Sequence, residues 1–193
     1  MQLRRTAIGA MVALSIATAA GSPVATVAAT DGLVAAFSAI RGTTVWPIPG
    51  GSRDAITSTF GPRIRAATSA YDWHRGIDLD APQGTPVVAS LAGELFGVRD
   101  YPDGGLTVIL RHAFPGPVLF SGRTLTVFYT FHMHLSEIEP GLATAAAAGE
   151  TPAVAAGQRI GRVGHTGNAL DDHLRSEEHT SELQSLAYLV CRL

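Results

Sequence analysis

The sequence predicts an all-β domain built of antiparallel sheets, preceded by an export signal. Three observations predict it. Between residues 46 and 174, short runs rich in Val, Ile, Thr and aromatic residues recur at regular spacing. Turn-forming clusters separate them, drawn from 21 Gly and 11 Pro in 193 residues. The Tyr101-Pro-Asp-Gly-Gly105 cluster, flanked by two apolar runs, is a hairpin signal. No heptad pattern or internal repeat competes with this reading. The balance of 14 Lys+Arg against 16 Asp+Glu, a net charge of −2, argues against nucleic acid or an anionic membrane held by bulk charge. A single cysteine, Cys191, excludes an internal disulfide framework.

Residues 1–29 read as a signal peptide: Arg4 and Arg5, then an apolar run broken by small residues, with cleavage after Ala19 or Ala29. A lone membrane helix fits less well, because Gly9, Ser15, Thr18 and Gly21-Ser22-Pro23 interrupt the roughly 18 apolar residues a span needs. Stable membrane insertion after cleavage is therefore not expected, and the protein is placed outside the cell or in its envelope. Residues 30–45 form a small-residue linker with a short helix over 33–40. The domain starts at Trp46-Pro-Ile-Pro-Gly50. Residues 56–60 predict a strand closing in a Gly61-Pro62 turn, and 81–86 predict a turn. Residues 92–99, 106–112 and 125–134 predict further strands. Residues 142–156 predict one or two helical turns on the surface, and 158–164 a last short strand.

One stretch carries chemistry. Tyr71-Asp-Trp-His74-Arg-Gly76-Ile-Asp78 sets a histidine and an aspartate four residues apart around a glycine. In a straight strand such residues share a face but stand ~13 Å apart, too far to grip one ion. A bend at Gly76 brings them together, and imidazole nitrogen with carboxylate oxygen suits zinc.

Several motifs then follow in order: Trp46-Pro-Ile-Pro-Gly50, Ile56-Thr-Ser-Thr-Phe-Gly61-x-Arg63, His74-x-Gly76-x-Asp78, Gly84-Thr-Pro86-Val, His134-Leu-Ser, Gly157-Gln-x-Ile-Gly161-x-Val-Gly164-x-Thr-Gly167 and His173-Leu174. Together they resemble the lysostaphin/LytM-type zinc metallopeptidases, metallopeptidase family twenty-three, over residues 46–174. The resemblance implies a duplicated-hybrid-motif fold with the metal, Zn2+, at the floor of an open groove. It implies a monomeric, secreted endopeptidase acting on peptidoglycan peptides. His74 and Asp78 resemble the first two zinc ligands, His173 the catalytic histidine, and His134 a second histidine contacting the water or the oxyanion. Arg63 resembles a groove-lining residue that either meets a substrate carboxylate or forms a structural salt bridge. Among the other candidates, His132 and His112 are expected at the surface. His165 is expected to hold its turn or face solvent, and Asp80, Asp171 and Asp172 to be solvated.

The pattern breaks at His173-Leu174-Arg175, where the family's third ligand would be a histidine. A guanidinium stays protonated and offers no lone pair. From Arg175 to Ser185 the sequence resembles the in-frame translation of a common short-read sequencing adapter. Residues 175–193 are therefore expected to be an artefactual tail, with His at position 175 and the domain's last strand in the natural gene. Two other readings remain open: a degenerate, non-catalytic groove domain that binds cell wall or activates another hydrolase, or an inactive fragment.

Overall fold

A computed structural model describes residues 35–36, 38–40, 43–64, 69–120, 123–181 and 184–185. The expected signal peptide lies outside them, as does half of the linker. The all-β prediction holds. Twelve strands are described: β1 (Ile56–Ser58), β2 (Gly61–Ile64), β3 (Tyr71–His74), β4 (Gly76–Asp80), β5 (Pro86–Val88), β6 (Gly93–Tyr101), β7 (Gly105–Phe120), β8 (Arg123–Ile138), β9 (Ala153–Val154), β10 (Arg159–Val163), β11 (His173–Ser181) and β12 (Gln184–Ser185). One helix, α1 (Pro140–Ala148), takes the alanine-rich stretch; Pro140 begins it and Gly149, at φ 72°, ends it. No helix of the described residues is long and apolar enough to cross a membrane.

The main sheet runs β1-β4-β11-β8-β7-β6-β9, with β10 bridging β5 and β8, and β2 and β3 pair separately. All named pairings are antiparallel. Alternation decides the two faces. Ile77, Leu79, Leu110, Leu135 and Leu174 point inward, fully buried with Val87, Leu95 and Ile160. Asp78 points the other way, level with Arg175 on β11, which in turn faces Met133 on β8. A second apolar cluster, Leu91, Phe114, Val118 and Phe128, fills the far end.

Four expectations are corrected. Gly61-Pro62 is not a turn but the start of β2, where proline is tolerated because the two-stranded sheet leaves an edge. His112 is not at a strand end, since β7 runs on to Phe120. Its ring is buried, meets the Ala92 carbonyl and Thr130 Oγ1 at 2.9 Å each, and stacks on Phe128. His132 is fully buried rather than exposed. The last strand is not missing either: residues 173–181 form β11, hydrogen-bonded between β4 and β8.

The glycine of the His74/Asp78 stretch has a different purpose from the one expected. Gly76 does not take a positive φ. It lies where a Cβ would overlap the Ser176 carbonyl of β11. We expect Gly76→Ala to lower stability by about 2–4 kcal/mol, read by urea unfolding, because backbone cannot move aside as a flexible side chain does.

Neither ring nitrogen of His132 makes a well-aligned hydrogen bond. Burial, with a smaller contribution from His112, lowers its pKa from 6.5 to about 3, and the Val108 backbone only partly offsets this. The unfolded chain takes up a proton below pH ~6.5 that the folded chain refuses down to pH ~3. Stability is thus complete above the unfolded value and lost as pH falls through that window, by about 1.4 kcal/mol per pH unit for this group. His132→Leu should flatten the acid limb of a stability–pH curve and raise stability at pH 7 by about 1 kcal/mol. An unchanged acid limb would rule this out.

Candidate active site

His74 and Asp78 do meet, but the break between their strands falls at Arg75 and not at the expected Gly76. The chain leaves β3 at His74, crosses Arg75 and enters β4, so that the two side chains meet with His74 Nε2 at 3.1 Å from Asp78 Oδ1. His74 is wholly buried, and its Nδ1 lies 2.9 Å from the Thr59 carbonyl and 3.2 Å from Ser58 Oγ. A carbonyl can only accept, so Nδ1 carries a proton, and in the neutral ring Nε2 keeps a lone pair. That lone pair faces a carboxylate oxygen. Two acceptors at this distance call for a proton or a cation between them, and a backbone carbonyl behind the ring is how metal-binding histidines are usually held.

His173 opens β11 opposite Asp80, and its Nε2 stands 3.6 Å from Asp78 Oδ1. Its Nδ1 donates to the Asp171 carbonyl at 2.9 Å. His134 reaches the same cleft by an irregular route. By simple alternation it would share the inward face of His132, but its backbone sits at φ 61° beside a shift of register. The bulge turns its ring to within 4.6 Å of the His173 ring, centroid to centroid. Burial, partly offset by the Thr166 carbonyl, lowers its pKa from 6.5 to about 4, so the ring is neutral at pH 7.

Arg63 is a salt-bridge residue here. Its guanidinium donates to Asp78 Oδ2 at 2.9 Å, to Ser58 Oγ at 3.0 Å and to Asp72 Oδ2 at 3.2 Å. Burial alone would raise the Asp78 pKa. The His74 hydrogen bond and the nearby His74, His173 and Arg175 overcome it, and the carboxyl ends at about 2. The cleft is about 440 Å³, with Arg63, Ile64, Asp103, Leu170 and Asp172 among its walls. His165 lies outside it, exposed and 2.7 Å from Asp172, which is therefore paired rather than merely solvated. Asp80 and Asp171 are exposed, as expected.

The position where the resemblance implies a third ligand is occupied by arginine, in register with Asp78. Arg175 donates to Glu177 Oε1, through Nε at 2.7 Å and also through Nη2, and Glu177 in turn holds His179 at 2.8 Å. Among the described residues, no group of three His, Cys, Asp or Glu is arranged to hold a metal ion. His74 and Asp78 fit a metal; the set as a whole does not fit a catalytic zinc, which needs three ligands.

The sequence profile described as Peptidase family M23 matches residues 72–185. The chain belongs to peptidase family M23. The Vibrio cholerae peptidoglycan DD-endopeptidase ShyA is 32% identical over 130 residues, 67% of this chain and 26% of that protein. The Neisseria meningitidis DD-carboxypeptidase/endopeptidase Mpg is 34% identical over 122 residues, 63% of this chain and 24% of that protein. The chain thus spans about a quarter of each. Among solved structures, a zinc-containing peptidase from Vibrio cholerae matches at TM-score 0.50 and 26% identity, covering 68% of this chain and 34% of that one. A point mutant of the catalytic domain of the prophage-encoded M23 protein EnpA, from Enterococcus faecalis, matches at TM-score 0.50 and 25% identity, covering 70% and 89%. M23 is a metallopeptidase family, and its members include peptidoglycan endopeptidases.

The sequence named five of the residues that meet: Arg63, His74, Asp78, His134 and His173. It gave no role to Ser58, nor to the carbonyls of Thr59, Asp171 and Thr166. A carbonyl has no side-chain signature. Thr166 alone had a usable cue, its place in the Gly164-His-Thr-Gly167 turn.

Proposed function

We propose that the natural gene product is a secreted zinc metalloendopeptidase that hydrolyses peptide bonds of bacterial peptidoglycan in the cell envelope, working as a monomer. The observation that carries this reading is the convergence of His74 Nε2 and Asp78 Oδ1 beside His134 and His173, with position 175 directly across the sheet from Asp78. A histidine there would supply the third ligand. Its neighbours His134 and His173 would then hold and move protons beside the metal, whose part is to supply Lewis acidity.

Position 175 is also where the adapter-like sequence begins. We infer that residues 175–193 are not the natural continuation. The inner face of β11 supports this: Leu174 is followed on that face by Ser176, Glu178 and Thr180, all buried. Central strands with both neighbours paired normally bury apolar side chains there.

Genomic sequence across the codon after Leu174 is the first test, and it should read histidine. The protein with that continuation should then release peptides from purified sacculi; relatives named DD-endopeptidases make the D,D cross-link the first bond to assay. Arg175 itself favours the second reading, a non-catalytic groove domain that binds wall. Genomic Arg-Ser-Glu-Glu, with sacculus binding and no cleavage, would establish that reading instead.

A further inference from the structure

Two loops meet behind His134, and one side chain joins them. The Thr166 hydroxyl donates to the Leu135 carbonyl and accepts from the Leu106 N–H, both at 2.9 Å. Its carbonyl accepts from His134 Nδ1 at 2.8 Å. The β6–β7 turn answers from the other side: the Gly104 carbonyl accepts the His134 N–H at 2.8 Å, and the Asp103 carbonyl accepts the Asn168 N–H at 3.0 Å. There is no spare room. Gly105, at φ 61°, lies where a Cβ would overlap Thr166, and Gly167, at φ 73°, lies where one would overlap Gly105. His134 itself holds a left-handed backbone at φ 61°, which is strained for a non-glycine residue and persists only when its surroundings impose it.

We propose that Thr166 is the positioning residue of His134, its hydroxyl clamping the loop so that its carbonyl keeps the ring in the Nδ1–H form. The inference rests on the peptidase reading for the use made of His134, and it sharpens that use. With the proton on Nδ1, Nε2 is an acceptor at neutral pH. His134 then orients or deprotonates the attacking water and does not donate to an oxyanion.

The test is ¹⁵N NMR of the histidine rings in the full chain as it stands, which needs neither metal nor turnover. The parent should show His134 in the Nδ1–H form. Thr166→Val keeps the shape and removes the hydroxyl, and should raise the Nε2–H share at least about threefold; Thr166→Ser should restore the parent pattern. A parent ring in the Nε2–H form, or a Thr166→Val protein indistinguishable from the parent, overturns the proposal. Should Thr166→Val fail to fold, Thr166→Ala takes its place, and the parent spectrum alone still decides against a wrong tautomer. A chain restored at position 175 that cleaves nothing but keeps this tautomer pattern refutes the peptidase reading and leaves the clamp standing.

Discussion

Arg175→His should take the bound zinc from near zero to near one per chain, measured by elemental analysis after dialysis against trace metal. The sequence alone predicts that the domain's last strand is missing along with the ligand, a condition under which one substitution would not rebuild the site. The structure removes that condition, because β11 is formed and sets residue 175 opposite Asp78. The two residues proposed as ligands are already oriented, His74 by the Thr59 carbonyl and Asp78 by Arg63. The substitution also removes a positive charge that acts on Asp78 and His134. Glu177 loses one partner but keeps His179 at 2.8 Å. A metal bound only by the folded chain stabilises it by about 2.7 kcal/mol at a hundredfold excess over Kd, so the melting temperature should rise with zinc and fall with chelator. The parent should respond to neither. Adding Asp78→Ala to Arg175→His should abolish both effects. A folded Arg175→His protein that takes up no zinc would show that the cleft is not a metal site.

How far the sequence could be read depended on whether a residue obeyed strand alternation. Asp78 and Arg175 do, and they stand in register on neighbouring strands. His132 and His134 do not: the left-handed backbone at His134 sends the two rings to opposite faces, and nothing in Phe-His-Met-His announces it. His112 was misplaced because β7 continues through Ala113-Phe-Pro-Gly-Pro, whose proline and glycine read as a loop. Here β7 pairs with β8 through an irregular register between Ala113 and Val118, which accommodates residues a regular ladder would reject. The hydrogen bonds that set the three ring tautomers end on backbone carbonyls, which every residue type has.

Glu178→Met on a foreign tail should be neutral or stabilising, by up to about 2 kcal/mol at pH 7 net of the partner it leaves behind, a rise of at most roughly 4–8 °C in melting temperature for a chain of this size. Glu178 is 1% exposed on the inner face of a strand flanked on both sides, opposite Thr130 and two residues from Ser176, itself 3% exposed. Withdrawing a carboxylate from water costs several kcal/mol, and a hydrogen-bonded or charged neighbour returns only part of it. Methionine has nearly the same length and volume, so packing is kept while the desolvation cost is removed. The comparison variant is Leu174→Ala on the same face, which should lose about 2–5 kcal/mol, as a fully buried leucine does. A natural strand would be expected to lose stability at both positions. A neutral result or a gain at 178 beside a loss at 174 would place the change from selected to unselected sequence between the two residues, where the adapter-like run begins. Loss of more than about 1 kcal/mol on Glu178→Met would mean instead that this carboxylate is integrated in the fold, and the proposal that residues 175–193 are foreign would lose its structural support.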